Sequence, residues 1–252
     1  MSRPFVLCSN DDGYSARGLR CLVDAFRDIA DVAVVAPEAQ QSGVGKHITL
    51  RRPLRARMYG PSMWAVDGTP TDCIYLGVCE LLERKPDLVV SGINHGPNLA
   101  EDVWYSGTAA AALEAASMGI RAFAISHEAF EPKSFAPAAQ FARRVAKLLL
   151  DNDRVENSIL NVNVPVTDGA PITEYVWTQG GRRNYNRTVT TNLDPRGDTY
   201  YWIGGSSLGH HRLAGSDCDA LARGCATITP VSLDATDQNW LKSIKDNALP
   251  GV

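Results

Sequence analysis

The sequence predicts an α/β fold with a doubly wound, mostly parallel sheet and a C-terminal β-hairpin extension. Short, continuously apolar runs end in polar, glycine-containing clusters, which is typical of buried parallel strands. Segments with helical periodicity separate these runs, as they do in successive βαβ units. From about Pro171 the helical periodicity is lost, and short aromatic runs alternate with Gly, Asn and Pro.

Size and composition narrow the classes of protein that fit. The chain has 252 residues, of which 44% are hydrophobic, so it suits one large domain or one domain with an extension. A formal net charge of -3 predicts neither nucleic acid nor a membrane surface as partner. The N-terminus lacks the apolar region of a signal peptide, so we expect a cytoplasmic protein. The six cysteines form no CxxC pair, which favours buried, reduced thiols over zinc ligands.

The first two-thirds, residues 1–170, forms the predicted α/β core. Ile48–Met58 alternates loosely and suggests a surface strand or hairpin, and Thr71 or Asp72 can cap the helix that follows. Gly119 is expected to end an alanine-rich helix. The predicted strands are Phe5–Cys8, Val32–Ala36, Met63–Val66, Pro86–Ser91, Arg121–Ser126 and Ile159–Val164. The predicted helices cover Leu19–Ile29, Cys73 to about Leu82, Ala109–Met118 and Pro137–Leu150.

Residues 171–252 form the predicted β-rich extension. Its expected elements are strands at Glu174–Thr178, Thr199–Ile203 and Ala226–Pro230 and a short helix at Gln238–Ile244. A hairpin arm this thin cannot bury a hydrophobic core of its own, so it is expected to pack on the main domain or on another subunit.

The segment Ser9–Gly13 follows the first strand and carries adjacent carboxylates at Asp11 and Asp12. Ligands bind at the carboxyl ends of strands in open α/β sheets. Two carboxylates there repel each other unless a cation lies between them, and a hard metal ion would satisfy both. The alternative is that the pair forms only a turn and the N-cap of the next helix.

Two further strand ends supply oxygen ligands that a divalent cation accepts, namely Ser42 and Asn94. Ser106, Gly107 and Thr108 stand at a predicted helix N-terminus, where backbone N–H groups favour an anion. Each residue alone is as well explained by a turn or a cap. Their joint placement at one sheet edge favours a metal ion beside an anion site, which is suited to phosphoryl transfer to water.

Two groups of residues remain open to functional and structural interpretations. His95 and His127 are candidate general acids for the leaving oxygen, although a lone loop histidine more often has a structural or surface role. Arg182, Arg183 and Arg187 surround Tyr185, and they could reach the base or phosphate of a nucleotide in a neighbouring subunit. The alternative for these arginines is a solvated hairpin surface or an interface.

The ordered set of motifs resembles the SurE family (stationary-phase survival protein E) of metal-dependent nucleotidases, whose fold is Rossmann-like. The resemblance covers nearly the whole chain. Its motifs are Ser9–Gly13, Val35–Pro37 with Gln41–Gly43, Gly68–Cys73, Pro86–Asn94 with Gly96 and Asn98, Tyr105–Thr108, Asn161–Pro165, Asp194–Gly197 and Thr229–Pro230.

The resemblance implies hydrolysis of nucleoside 5'- and 3'-monophosphates, with a link to polyphosphate hydrolysis. It also implies one divalent metal per subunit, Mg or Mn, and a homodimer or homotetramer with an exchanged C-terminal hairpin. Carried over position by position, the metal ligands are Asp11, Asp12, Ser42 and Asn94. The catalytic residues are Asp11, Asp12, Asn98, Ser106, Gly107 and Thr108, and the phosphate-facing residues are Asn94, Asn98, Ser106, Gly107 and Thr108.

The sequence departs from the family pattern at two places, Ala16–Gly18 and Asp217–Asp219, and neither reaches the implied metal ligands. Two other classes of function compete with a nucleotidase. A haloacid-dehalogenase-like phosphatase needs an Asp-x-Asp spacing, which Asn10–Asp12 lacks. A nucleotide-binding sensor would bind without turnover; no GxGxxG or P-loop is present, which disfavours dinucleotide and nucleoside triphosphate ligands.

Overall fold

The computed structural model describes residues 3–152, 156–186, 188–204 and 207–244. Within these ranges a nine-stranded sheet has the order β3-β4-β2-β1-β5-β6-β7-β13-β8, and two small two-stranded sheets pair β10 with β11 and β9 with β12. The strands are β1 Phe5–Ser9, β2 Asp31–Pro37, β3 Ala56–Gly60, β4 Met63–Val66, β5 Leu88–His95, β6 Arg121–His127, β7 Ser158–Val164, β8 Tyr175–Trp177, β9 Arg183–Tyr185, β10 Thr188–Leu193, β11 Thr199–Gly204, β12 Ser207–His210 and β13 Ala226–Ser232.

Helices cover both faces of the large sheet, which confirms the α/β prediction. Apolar side chains of α1 and α4 pack on one face, and those of α2 and α3 pack on the other. The helices are α1 Arg17–Phe26, α2 Pro70–Leu76, α3 Gly107–Ser117, α4 Ala136–Asp151, α5 Asp217–Ala222 and α6 Gln238–Ile244. A π-helical turn, Gly77–Leu81, continues α2, and a 3-10 helix, Ala100–Trp104, precedes α3.

The strand order reverses at β1, which lies between β2 and β5. The chain first builds the sheet outward through β2 and β4, and it then returns to β5, β6 and β7 on the other side, all in parallel pairs. A reversal of this kind opens a crevice beyond the carboxyl ends of the two strands beside it. The segments after β1 and β5 therefore border one crevice.

Two local predictions differ from the structure. The cap of α2 is Thr69, rather than Thr71 or Asp72: its Oγ1 accepts a hydrogen bond from Asp72 N at 3.1 Å, and Asp72 Oδ2 accepts one from Thr69 N at 2.9 Å. This reciprocal capping box places the helix start earlier. In the region predicted as a surface strand or hairpin, β3 begins only at Ala56 and pairs antiparallel with β4.

The residues after 171 both complete the large sheet and build separate small sheets. Strand β13 pairs antiparallel with β7 and parallel with β8. The β10–β11 hairpin is exposed along both strands. The boundary near residue 170 stays a prediction. Among the described residues, no helix is both long and apolar enough to cross a membrane.

Gly18 lets α1 approach the backbone of β5 next to the crevice. A Cβ at this position would lie 2.0 Å from the carbonyl oxygen of Ile93. We therefore expect Gly18→Ala to lower the free energy of unfolding by about 1–3 kcal/mol, the usual cost of overpacking. Urea denaturation measures this, with Gly180→Ala as control because a Cβ there meets nothing within 4 Å. Equal midpoints for the two variants would contradict the tight contact.

Candidate active site

A cleft of about 1220 Å³ opens at the carboxyl ends of β1 and β5. It brings together most of the residues that the sequence singled out. Asp12, Gly107 and Thr108 are not among its lining residues, but they contact residues that are. Of the predicted site residues, those that line the cleft are Asp11, Ser42, Asn94, Asn98 and Ser106.

Asp11 is buried in the cleft and packs against the first turn of α3. Thr108 Oγ1 donates a hydrogen bond to Asp11 Oδ1 at 2.5 Å. A Cβ at Gly107 would lie 2.7 Å from Asp11 Cβ, so only glycine leaves room for this carboxylate. Burial raises the pKa of Asp11 to about 6, with a smaller rise from the charge of Asp12, while the bond from Thr108 opposes the shift. The Thr108 hydroxyl is thus committed to orienting Asp11.

Asp12 pairs with His95, a contact that joins the ends of β1 and β5. His95 Nδ1 lies 2.7 Å from Asp12 Oδ2, and the His95 backbone N–H donates to the same oxygen at 3.3 Å. An ionised carboxylate only accepts hydrogen bonds, so Nδ1 carries a proton and Nε2 is the imidazole nitrogen left for a ligand. His95 also lines the cleft. The sequence named this histidine as a candidate but not its partner.

The residues present fit a hard divalent cation. In the described ranges, neither Asp11 nor Asp12 has a lysine or arginine within ion-pair distance, and the partner of Asp12 is His95. Burial is the main cause of the raised pKa of Asp11, and the negative charge of Asp12 adds to it. No three His, Cys, Asp or Glu side chains of the described chain converge as metal ligands. Ser42 and Asn94 line the same cleft as Asp11 and offer a hydroxyl and an amide oxygen. Carboxylate, hydroxyl and amide oxygens suit Mg²⁺ or Mn²⁺.

Asn98 is held by two asparagines of β7 that the sequence did not assign a role. Its backbone N–H donates to Asn163 Oδ1 at 2.8 Å, and its carbonyl accepts from Asn161 Nδ2 at 2.8 Å and from Asn163 Nδ2 at 3.0 Å. Its own Nδ2 donates to Ser126 Oγ at 2.8 Å. The signal in the sequence was two polar residues at a period of two inside a buried strand.

The N-terminus of α3 faces the cleft through Ser106. Its hydroxyl accepts a hydrogen bond from Ala109 N at 3.0 Å, so Ser106 is the N-cap. The capping contact uses Oγ as an acceptor and leaves the hydroxyl proton available to a ligand. First-turn N–H groups of a helix have no intrahelical acceptor, and they carry the positive end of the helix dipole. The cap and the anion site are therefore compatible uses of the same residue.

Arg182, Arg183 and Tyr185 border the cleft of their own chain. Arg183 Nε lies 3.2 Å from Asp102 Oδ2, and its guanidinium lies 5.2 Å from the centre of the Tyr185 ring. The Tyr185 hydroxyl donates to Asp102 Oδ1 at 2.6 Å. This network fastens β9 to the 3-10 helix before α3. Arg187, the third arginine of the predicted group, lies outside the described residues.

His127, the other candidate acid, has a structural environment. Its Nδ1 accepts a hydrogen bond from Ala129 N at 2.9 Å, and its ring meets Phe135 edge-on at 5.9 Å. Burial lowers its pKa. It is not among the lining residues of the cleft, so the geometry favours His95 of the two histidines.

Comparisons with known proteins give one consistent result. The family model described as Survival protein SurE matches residues 6–187. The chain is 45% identical over 241 residues to "5'-nucleotidase SurE" of Geotalea daltonii, covering 95% of this chain and 97% of that protein. It is 46% identical over 241 residues to the protein of that name from Myxococcus xanthus, covering 95% and 91%.

A solved structure agrees with these relatives. The fold matches the crystal structure of the SurE protein from Aquifex aeolicus with a TM-score of 0.85 and 40% sequence identity. The match covers 96% of this chain and 98% of that one. The likeness therefore extends through the C-terminal elements.

Proposed function

The chain belongs to the SurE family, and from that premise we propose that it is a metal-dependent phosphoric monoester hydrolase of the 5'-nucleotidase class. The substrates would be nucleoside 5'-monophosphates and also 3'-monophosphates, with short polyphosphate as a lesser substrate. One observation carries the proposal: Asp11, buried in the cleft against the first turn of α3, and the adjacent Asp12 have no lysine or arginine partner in the described chain. Phosphate hydrolysis needs positive charge, which a cation bound by the two carboxylates would supply. It also needs anion-binding N–H groups, which the start of a helix provides.

The substrate phosphate would be held at the start of α3. The Ser106 hydroxyl and the first-turn N–H groups would donate to phosphate oxygens, and the helix dipole would favour their negative charge. Asn98 lines the same cleft, and its backbone is fixed by Asn161 and Asn163. One N–H of its side-chain amide is bonded to Ser126 Oγ, so the other would donate to the same phosphate. Preorganised donors of this kind stabilise the transition state because they need no rearrangement during the reaction.

Asp11, Asp12, Ser42 and Asn94 would hold one divalent metal per subunit, Mg²⁺ or Mn²⁺. When bound there, the metal supplies positive charge that stabilises the negative charge developing on the phosphate. Thr108 and Gly107 fix the orientation of Asp11 for that purpose, and His95 does so for Asp12.

Two proton transfers complete the reaction. The carboxylate pair of Asp11 and Asp12, acting as one unit, accepts the proton of the attacking water. His95, when protonated at both Nδ1 and Nε2, carries a positive charge that Asp12 stabilises through Nδ1. It donates the Nε2 proton to the leaving alkoxide oxygen, which leaves the alcohol as product and the ring neutral. A stable alcohol and inorganic phosphate are the products.

Purified protein incubated with 5'-AMP and Mn²⁺ or Mg²⁺ should release inorganic phosphate, and chelation with EDTA should stop it. Readdition of the metal should restore release, because the carboxylate pair needs the cation to act on an anion. Phosphate release that EDTA does not affect would contradict the metal site. Binding of 5'-AMP without release would support the nucleotide sensor instead.

The assembly and the location belong to the same proposal. We propose a homodimer or homotetramer in which the C-terminal hairpin is exchanged, in the cytoplasm. The exposure of the β10–β11 arm supports the assembly. Trp202 is 67% exposed and Ile203 is 91% exposed, and a second copy would cover this apolar surface.

A further inference from the structure

One ion pair joins helix α3 to the loop between β2 and β3, residues 38–55, which carries Ser42 and is called the Ser42 loop below. Lys46 Nζ lies 3.1 Å from Glu114 Oε2. The Glu114 side chain is 12% exposed, and among the described residues Lys46 is its only basic partner. A carboxylate with so little access to water needs such a partner, because an unpaired buried charge is costly.

Backbone contacts fasten the Ser42 loop on both sides of Ser42. The Gln41 N–H donates a hydrogen bond to the Asp11 carbonyl at 2.7 Å, and the Gly45 N–H donates one to the Tyr105 carbonyl at 3.0 Å. A Cβ at Gly45 would lie 3.1 Å from a carbonyl oxygen at the end of the 3-10 helix, so the loop lies directly against the segment before α3. The ion pair follows immediately after this second anchor.

Between these anchors, few contacts fix Ser42 itself. Ser42 is exposed, and its hydroxyl accepts a hydrogen bond from Gln40 Nε2 at 2.9 Å within the same loop. The next residue, Gly43, has a φ of 74°, and a Cβ there would meet nothing within 4 Å. The position of Ser42 therefore depends on the anchors to either side of it.

We propose that Lys46 and Glu114 are positioning residues, which hold Ser42 at the metal site by tethering its loop to α3. This inference rests on the proposed function. The first turn of α3 already orients Asp11 and faces the phosphate site. Glu114 lies about two turns further along the same helix. One rigid helix thus sets the positions of three parts of the site, as a precise binding site requires.

The ion pair acts on the metal through Ser42, since neither Lys46 nor Glu114 lines the cleft. Loss of the Lys46 ammonium leaves the Glu114 carboxylate without its basic partner and frees the loop beside Gly45. A bound metal must then order the loop as well as bind its ligands. That loss of conformational entropy lowers the affinity for the metal.

The test is titration of the metal-free protein with Mn²⁺, followed by electron paramagnetic resonance of the free ion. We expect Lys46→Ala and Glu114→Gln each to weaken Mn²⁺ binding by about 10-fold, near the lower end for loss of a hydrogen bond to a charged group. Lys46→Arg should retain most of the affinity because it keeps the charge. The control is Lys147→Ala, which removes an exposed ion pair with Asp151 in α4 and should bind as the wild type does.

Combination with Ser42→Ala distinguishes a tether from a general loss of structure. In the Ser42→Ala background, Lys46→Ala should cause no further loss of Mn²⁺ affinity, because two substitutions that remove the same interaction are not additive. The same 10-fold loss in that background would overturn the proposal. Unchanged Mn²⁺ affinity in both Lys46→Ala and Glu114→Gln would overturn it as well.

If the wild type binds no Mn²⁺, the metal site of the proposed function fails, and hydrogen exchange in the metal-free protein decides the tether separately. The Gly45 amide is the probe, because it donates to the Tyr105 carbonyl next to the ion pair. Faster exchange of this amide in Lys46→Ala than in Lys147→Ala then supports the tether of the Ser42 loop to α3. Equal exchange in the two variants overturns it.

Discussion

Asp11→Asn is expected to reduce phosphate release from 5'-AMP by about 10³-fold or more, because a metal at this site is worth several kcal/mol in the transition state. The substitution keeps the shape of the side chain and its oxygen acceptor for Thr108, so the fold should survive. Initial rates with saturating Mn²⁺, together with a circular dichroism spectrum, measure both effects.

The matched control for this variant is Asp168→Asn. Asp168 is an exposed carboxylate that pairs with Lys133 and does not line the cleft. It should turn over 5'-AMP at the wild-type rate. Wild-type rates for Asp11→Asn would contradict a catalytic role for this carboxylate.

Gly107→Ala is expected to lower turnover of 5'-AMP by about 10²-fold, the effect of misplacing a catalytic group by roughly 1 Å. A Cβ at Gly107 would lie 2.7 Å from Asp11 Cβ and 3.0 Å from its Oδ2, so the carboxylate or the helix must move. Steady-state kinetics measure the loss.

Gly180→Ala is the control for the added methyl group, because it meets nothing within 4 Å. It should leave the kinetics unchanged. If Gly107→Ala turned over 5'-AMP as fast as Gly180→Ala, the packing of Asp11 on α3 would not matter to catalysis.

The sequence predicts the edge of the sheet where the site lies because that information is local. Apolar runs end before Asp11 and within the segment leading to Asn94, and parallel strands bring such ends to one edge. The resemblance then selects which polar residues at those ends matter. The helical start at Ser106 is equally local, since a capping serine precedes an alanine-rich run.

The contacts that organise the site could not be predicted in the same way. Thr108 and Asp11 are 97 positions apart, His95 and Asp12 are 83 apart, and Asn98 and Asn163 are 65 apart. Each contact depends on which strands become neighbours in the sheet. Hydrophobic periodicity predicts which face of an element is buried, but it does not predict which element lies next to it. For the same reason, the strand at Ala226 was expected, whereas its place between β7 and β8 was not.

The wrong prediction of the residue that caps α2 has a different cause. Thr69, Thr71 and Asp72 are all residue types that cap helices, so composition alone leaves the first turn ambiguous. The reciprocal bonds between Thr69 and Asp72 resolve it, and Asp72 also accepts from Thr49 N at 2.8 Å. A capping aspartate is thereby shared between the helix and the loop before β3.

The most direct test of the central claim is titration of the metal-free protein with Mn²⁺, followed by electron paramagnetic resonance of the free ion. The carboxylate pair at the end of β1 predicts one bound Mn²⁺ per subunit in the wild type and in Asp168→Asn, and loss of that binding in Asp11→Asn. Undiminished Mn²⁺ binding by Asp11→Asn would contradict the account.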